Sequence, residues 1–134
     1  MKILTGKKKT APLSAPNAAQ SLVDLASESW RFRQTLESCM NCMDPLDADR
    51  LANRYAWYSR KVQAVLDEAG LTAVDLTGEP YDPGMAVTPL NLEDFPQRPD
   101  AAFRIAQMVE PIIMENGAVR KTGSVMLSED TEAL

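Results

Sequence analysis

Apolar residues in the first half of the chain recur at the spacing of a helix face. Leu22, Leu25, Phe32 and Leu36 are separated by steps of three, seven and four residues, and Ser29 stands in the longer gap as a polar member. One face of an α-helix repeats every three to four residues, so this stripe predicts a helix over residues 17–38.

A second helix is marked at both ends. Asp44 followed by Pro45 is typical of an N-cap and first helical position, and Gly70 is typical of the residue just past a helix end. Between them an apolar seam advances in steps of four and three residues. Residues 17–70 are therefore predicted to form a helical hairpin. The seam contains Leu51, Tyr55, Tyr58, Val62 and Val65.

After Gly70 the chain is interrupted by proline or glycine every few residues, which excludes helices of useful length. Segments between these breaks predict short strands over residues 71–76, 85–88, 102–113 and 118–127. Asn116 followed by Gly117 predicts a tight hairpin turn, because both residues accept positive φ. Alternation along the last strand places Val119 and Val125 on one buried face.

The predicted fold class is α+β, with a helical hairpin followed by a small, proline-interrupted β domain over residues 71–127. Residues 1–16 contain four lysines, two prolines and no acidic residue, which predicts a disordered basic arm. Residues 128–134 are predicted to be an acidic tail.

The helical hairpin is predicted to dimerise. Two half-apolar helices cannot bury both faces alone, whereas two copies can form a four-helix bundle with one core. The alternative is that the hairpin packs on its own β domain. The residues expected at the dimer interface are Leu22, Leu25, Phe32, Leu36, Leu51, Tyr55, Tyr58 and Val62.

Composition argues against several classes of function. The 14 basic and 19 acidic residues give a net charge of -5, and only 6% of residues are aromatic, so nucleic acid is not expected as a partner. The chain has no histidine, which excludes histidine-dependent triads and HExxH zinc sites. We therefore expect no enzyme activity, no cofactor and no metal.

No apolar run approaches the roughly 20 residues that span a bilayer. The first residues also lack an apolar stretch of signal-peptide length. Together these patterns predict a cytoplasmic protein with no membrane partner.

Cys39 and Cys42 lie together where the two predicted helices meet. A redox-active CxxC pair usually sits at a helix N-terminus, whereas here one helix ends before the pair and the next begins after it. Three interpretations stay open: ordinary turn cysteines, half of a zinc site completed by a second copy, and a redox-sensing dithiol.

Residues 18–127 resemble the C-terminal two-thirds of GrpE-type nucleotide exchange factors. The resemblance is carried by residues 65–75 together with the Gly-Glu-Pro-Tyr-Asp-Pro segment at 78–83. A second patch runs from Val109 to Ile113 and continues through the Asn-Gly turn to Arg120, Lys121 and Val125. Departures include Arg54, where the family often has glycine, and Ile112 and Ile113, where it has glycine and an aromatic residue.

The resemblance implies a homodimeric co-chaperone that accelerates ADP release from a DnaK-type chaperone. In that family the β domain inserts into the cleft of the chaperone ATPase domain. Exposed apolar and basic residues of the β hairpin suit a cleft with acidic rims. The implied partner-binding residues are Met108, Val109, Pro111, Ile113, Arg120 and Lys121.

Two alternatives to exchange activity remain. The family has a long paired N-terminal helix, whereas only 16 residues precede the first predicted helix here. A dimeric adaptor of GrpE-like fold that binds a specialised ATPase or complex subunit without exchanging nucleotide is therefore the second hypothesis. The third is a redox or zinc dimer that uses Cys39 and Cys42.

Overall fold

The computed structural model describes residues 15–130, in which two helices precede six short strands. The fold is α+β, as predicted. The predicted basic arm lies outside the described residues, except that residues 15 and 16 already belong to the first helix. The helices are α1 (Ala15–Met40) and α2 (Pro45–Glu68); the strands are β1 (Leu71–Val74), β2 (Val87–Pro89), β3 (Phe103–Glu110), β4 (Ile112–Glu115), β5 (Ala118–Lys121) and β6 (Gly123–Glu129).

The signals at the ends of α2 are confirmed. The Asp44 carboxylate accepts a hydrogen bond from the backbone N–H of Leu46 at 3.1 Å, and Pro45 is the first helical residue. That bond satisfies one of the backbone donors that a helix start leaves without a partner. Gly70 follows the helix at φ +76°, a conformation that glycine adopts without steric cost.

The strands form two three-stranded sheets. In the first, β4 lies between β1 and β5 and is antiparallel to both. In the second, β6 lies between β3, which is antiparallel, and β2, which is parallel. After an initial passage from the first sheet to the second between β1 and β2, the chain crosses between the sheets twice more, between β3 and β4 and again between β5 and β6. We name these two later crossings the first and the second crossing.

The predicted continuous strands over 102–113 and 118–127 are therefore wrong, because each is two strands in different sheets. Pro111 separates β3 from β4, since proline has no N–H for a sheet ladder. Thr122 separates β5 from β6. At the second crossing Gly123 lies so close to β3 that an added Cβ would stand 2.8 Å from the Glu110 carbonyl oxygen.

The hairpin turn at Asn116-Gly117 is confirmed, with φ values of +50° and +88°. The predicted burial of Val119 is wrong, because its side chain is 49% exposed, whereas Val125 is buried as predicted. β5 pairs with β4 through a shift in register, with Ile113 opposite Lys121 but Met114 opposite Val119. The alternation of buried and exposed side chains along β6 therefore does not predict which side chains of β5 are buried.

Two buried clusters hold the molecule together. One lies within the β region and contains Val87, Ile105, Met108, Ile112, Val125 and Leu127. The other joins both helices to the first sheet and contains Val23, Ala26, Leu66, Leu71 and Ile113. The hairpin therefore packs on its own β region through one side, as the alternative interpretation of the sequence proposed.

The predicted acidic tail begins too early. β6 continues through Ser128 to Glu129, and Asp130 is buried, where its carboxylate accepts a hydrogen bond from Arg104 Nη2 at 3.0 Å. Arg104 also donates to the Gly78 carbonyl. Residues 131–134 of the predicted tail lie outside the described residues.

We expect Gly123→Ala to lower the free energy of unfolding by about 1–3 kcal/mol, because the new methyl group would press on the backbone carbonyl of Glu110. Gly84→Ala is the matched control, since its Cβ would meet only the movable end of the Asp82 side chain at 3.0 Å. Urea unfolding at one protein concentration measures both variants. Equal stability of the two variants would contradict the close approach at the second sheet crossing.

Candidate partner-binding surfaces

One side of α1 is hydrogen-bonded to the backbone of β3. Trp30 Nε1 donates to the Met108 carbonyl at 2.8 Å, and Gln34 Nε2 donates to the same carbonyl at 2.7 Å. Gln34 also reaches the Val109 carbonyl at 3.3 Å. The pairing of β3 with β6 shifts in register between Met108 and Glu110, which leaves Val109 outside the ladder. The helix therefore satisfies carbonyls at a bulge in the strand.

Charged side chains reinforce the same contact. Arg31 of α1 bonds to Glu110 of β3. Lys121 Nζ donates to Ser27 Oγ on α1 at 3.0 Å and lies 3.8 Å from a Glu110 carboxylate oxygen. Ser27 is itself buried. The ends of β3 and β5 are thus tied to the first helix by polar groups, of which Ser27 is buried and Arg31 and Lys121 are partly exposed.

Arg120 is also engaged within the chain. Its guanidinium donates to Glu115 Oε1 at 2.7 Å and to Gln20 Oε1 on α1 at 3.1 Å. Arg120 and Lys121 are both half-buried. The two cations that were expected to face a partner therefore dock β5 onto α1 in this structure.

Three of the apolar residues expected to contact a partner lie in the interior. Met108 belongs to the β-region cluster, Ile113 belongs to the cluster beneath the helices, and Pro111 is fully buried between them. Their assignment to an exposed contact surface is corrected: they are core residues. Met108 is buried because it packs with side chains of β2 and β6, and Ile113 is buried because it packs with both helices and β1.

Four apolar side chains of the described residues remain at least partly accessible near the hairpin, among which Met114 is half-buried and Ala118 is exposed. Val109 is half-buried beside α1, and Val119 is exposed at the hairpin tip. The sequence analysis named Val109 but assigned Val119 to the core. The signal that could have identified Val119 is its position two residues after the Asn116-Gly117 turn, where a strand lies at a sheet edge.

The opposite side of α1 is apolar and exposed. At about 100° per residue, Leu25, Phe32 and Leu36 lie nearly opposite Trp30 and Gln34 around the helix. Leu25 is 59% exposed and Phe32 is 56% exposed, whereas Leu36 is half-buried. A contiguous apolar face of this kind is typical of an interaction surface.

α2 continues this exposed face. Tyr58, which was predicted to lie at the interface, and Val65 of the same apolar seam are exposed, whereas the other predicted interface residues of α2 are half-buried. Leu22, Leu25, Tyr58, Val62 and Val65 line an apolar groove between the helices. We name the surface formed by the two helices the hairpin face: Leu22, Leu25, Phe32, Leu36, Leu51, Tyr55, Tyr58, Val62 and Val65.

A second groove between the helices carries polar groups. The Tyr58 and Ser29 hydroxyls are hydrogen-bonded at 2.9 Å, and the Tyr55 and Tyr58 rings lie 5.8 Å apart. Arg33 stacks over Trp30, with 4.1 Å between the guanidinium carbon and the ring centre. All five residues line the groove. Ser29, the polar interruption of the first helical stripe, thus bonds across to α2.

Burial raises the pKa of Tyr55 above its ordinary value of 10.0. The Arg33 guanidinium acts in the opposite direction by favouring the phenolate, and burial outweighs it. Tyr55 therefore remains a neutral hydroxyl in the groove throughout the physiological pH range.

The described residues contain no group of three or more histidine, cysteine, aspartate or glutamate side chains placed to hold a metal ion. Cys39 and Cys42 are free and exposed. No helix within residues 15–130 is long and apolar enough to cross a membrane. Comparison with protein-family models, curated proteins and solved structures finds no match to this chain.

We expect Trp30→Phe and Gln34→Leu to be coupled in stability. Each alone leaves the Met108 carbonyl one of its two side-chain donors, whereas the double variant removes both, so its loss should exceed the sum of the single losses by about 1 kcal/mol. Urea unfolding of the four proteins measures the coupling. Trp57→Phe is the control, because it makes the same change of side chain at a site that is 60% exposed. Strict additivity would show that the two bonds are independent.

Tyr55 should make stability fall in alkaline solution. The folded protein binds the phenolic proton more tightly than the unfolded chain, so the contribution is complete below pH 10.0 and is lost as pH rises through the higher folded pKa. The absorbance difference between wild type and Tyr55→Phe should show one phenol titrating above pH 10.0. Above pH 10.0 the free energy of unfolding of Tyr55→Phe should decline less steeply with pH than that of the wild type. A titration at or below the ordinary value would contradict the burial of this hydroxyl.

Proposed function

We propose that this chain is a cytoplasmic, homodimeric co-chaperone of GrpE type, which accelerates ADP release from the ATPase domain of a DnaK-type chaperone. The observation that carries the proposal is the hairpin face, an exposed apolar surface on two helices whose other side is attached to a small β module. The resemblance of residues 18–127 to GrpE-type factors supplies the identity of the partner.

The hairpin face supports the dimer because it offers a self-complementary surface. Leu25 and Phe32 on α1 and Tyr58 and Val65 on α2 are exposed. Two copies related by a two-fold axis would bury these side chains in one four-helix core. Burying a leucine or phenylalanine side chain contributes about 1.5–3 kcal/mol relative to leaving it in water.

The fixed attachment of the β region supports a wedge. An element that holds a cleft open must be rigid, since a flexible element would follow the cleft as it closed. The bonds from Trp30 and Gln34 to β3, and from Lys121 to Ser27, tie the β region to α1 at several points. A partner that binds the β region therefore meets it in a fixed orientation relative to the helices.

The proposed mechanism involves no bond chemistry in this protein. A factor that binds the open, nucleotide-poor state of an ATPase domain more tightly than the closed ADP state shifts the domain toward the open state. By linkage, ADP must weaken binding of the factor by the same ratio by which the factor weakens binding of ADP. The role of the β region is to discriminate between the two states.

A second candidate, the non-exchanging adaptor, is favoured by one specific observation. Met108, Pro111 and Ile113 are buried, and Arg120 and Lys121 are bonded within the chain, so most of the expected wedge contacts already have intramolecular partners. Val119 and Val109 remain accessible. A hairpin end with so small an apolar contact surface fits an adaptor that binds its partner without opening it.

We expect Leu25→Glu combined with Val65→Glu to convert a dimer into a folded monomer, because charges would be placed in the proposed four-helix core. Light scattering at micromolar concentration measures the mass, and circular dichroism checks helix content. Trp57→Glu is the control, since Trp57 is exposed but lies well away from the seam of α2. A monomeric wild type, or a dimer that survives both substitutions, would reject the hairpin face as the interface.

We expect the wild-type protein to accelerate release of a fluorescent ADP analogue from a DnaK-type chaperone in stopped flow. Val119→Glu should abolish the acceleration while leaving the dimer intact, because it charges the exposed hairpin tip. Val119→Thr, which keeps the side-chain shape, is the control. Binding without acceleration would favour the adaptor, and absence of binding would reject both candidates.

A further inference from the structure

The two cysteines are held on the same side of a tight turn. The backbone N–H of Cys42 donates to the Cys39 carbonyl at 3.0 Å, and that of Met43 donates to the Met40 carbonyl at 3.2 Å. These successive bonds join residues three apart, the spacing of a 3₁₀ turn, in which side chains at positions i and i+3 eclipse. The chain therefore winds so that the thiols of Cys39 and Cys42 lie next to each other.

The pair also satisfies the requirements of distance and access. A hydrogen-bonded turn of four residues holds its first and last Cα atoms less than about 7 Å apart, and disulfides join Cα atoms about 4.4–6.8 Å apart. Both cysteines are free and exposed. A disulfide can thus form without separating α1 from α2, and a reagent in solution can reach either sulfur.

We propose that Cys39 and Cys42 form a reversible redox dithiol, which closes to an intramolecular disulfide by exchange with a low-molecular-weight disulfide of the glutathione class. One cysteine thiolate attacks a sulfur of the small disulfide and displaces one small thiol, which leaves a mixed disulfide. The second cysteine thiolate attacks the cysteine sulfur of that mixed disulfide and displaces the other small thiol. The protein loses two electrons and two protons, and the small disulfide is reduced to two thiols.

An intramolecular disulfide is favoured over the other two fates of exposed thiols. Zinc takes four ligands in structural sites, and the described residues of one chain bring no third cysteine, histidine or carboxylate to this pair, so a zinc site would need both of its other ligands from a second molecule. A disulfide between two molecules must compete with a neighbour already held in the same turn, whose effective concentration exceeds that of a second protein molecule. The disulfide closes a loop of only four residues, so it restricts the unfolded chain little and adds little to stability. Its proposed role is therefore that of a reversible redox switch.

The position of the pair determines what oxidation would constrain. Cys39 is in the last turn of α1, and Cys42 is in the segment that connects it to α2. A disulfide would pin this end of α1 to the connection, at the opposite end of the hairpin from Gly70. This inference does not depend on the co-chaperone proposal, because the chemistry needs only the turn.

The test equilibrates the full-length protein in buffers of reduced and oxidised glutathione, then blocks free thiols and measures mass. We expect a product that has lost two hydrogens and carries no glutathione. At a constant ratio of the two glutathione forms, diluting total glutathione tenfold should raise the ratio of disulfide to dithiol about tenfold, because ring closure releases two glutathione molecules.

Cys39→Ser and Cys42→Ser are matched controls, since each leaves one exposed thiol and should yield only a glutathione adduct. Circular dichroism of both variants checks that the fold is kept. A wild-type protein that accumulates glutathione adducts, forms covalent dimers, or keeps two blockable thiols in fully oxidised buffer would overturn the proposal.

Discussion

The structure depends on the contact between α1 and the bulged segment of β3. A carbonyl that a helix covers beside a bulge must find a donor, and the Met108 carbonyl accepts from two, the Trp30 indole and the Gln34 amide. Leaving such a group without a partner costs about 1–3 kcal/mol, a large fraction of a small domain's stability. The bulge and the helix therefore require each other, and their pairing sets the rotation of α1 about its axis.

That rotation divides α1 into two sides with different roles. The side with Trp30 and Gln34 is used within the chain, and the side with Leu25 and Phe32 faces solvent. α2 adds Tyr58 and Val65 to the solvent side. The same contact that anchors the β region thus determines which apolar residues are presented to another molecule. The attachment of the β region and the presentation of the apolar surface to another molecule are therefore coupled through α1.

Much of the fold was predictable because its signals are local. Asp44 with Pro45 begins α2, Gly70 follows its end, and Asn116-Gly117 makes the hairpin turn. Whether β3 and β4 share a sheet is decided by the strands that lie next to them in space. The alternation of apolar and polar residues carries no such information, so it predicted one continuous strand where the structure has two. The assignment of Met108 and Ile113 to a partner-contact surface was wrong for the same reason. The sequence around these two residues looks the same whether their side chains face solvent or the interior. Sequence periodicity identified an apolar stripe on α1 but could not show that a β bulge would bind the opposite side of the helix.

The separation along the chain between α1 and β3 has a consequence for synthesis. Trp30 and Met108 are 78 residues apart in sequence, and α1 is translated before every strand it packs on. While the chain emerges from the ribosome, the buried side of α1, with Val23 and Ala26, can meet only α2 and β1 at first, and its cover stays incomplete until β3 and β4 have been made. Contacts this distant in sequence form slowly because a long loop must close first. The nascent protein thus passes through a stage in which both sides of its first helix are open to other chains, and its yield in the cell depends on how that stage is protected.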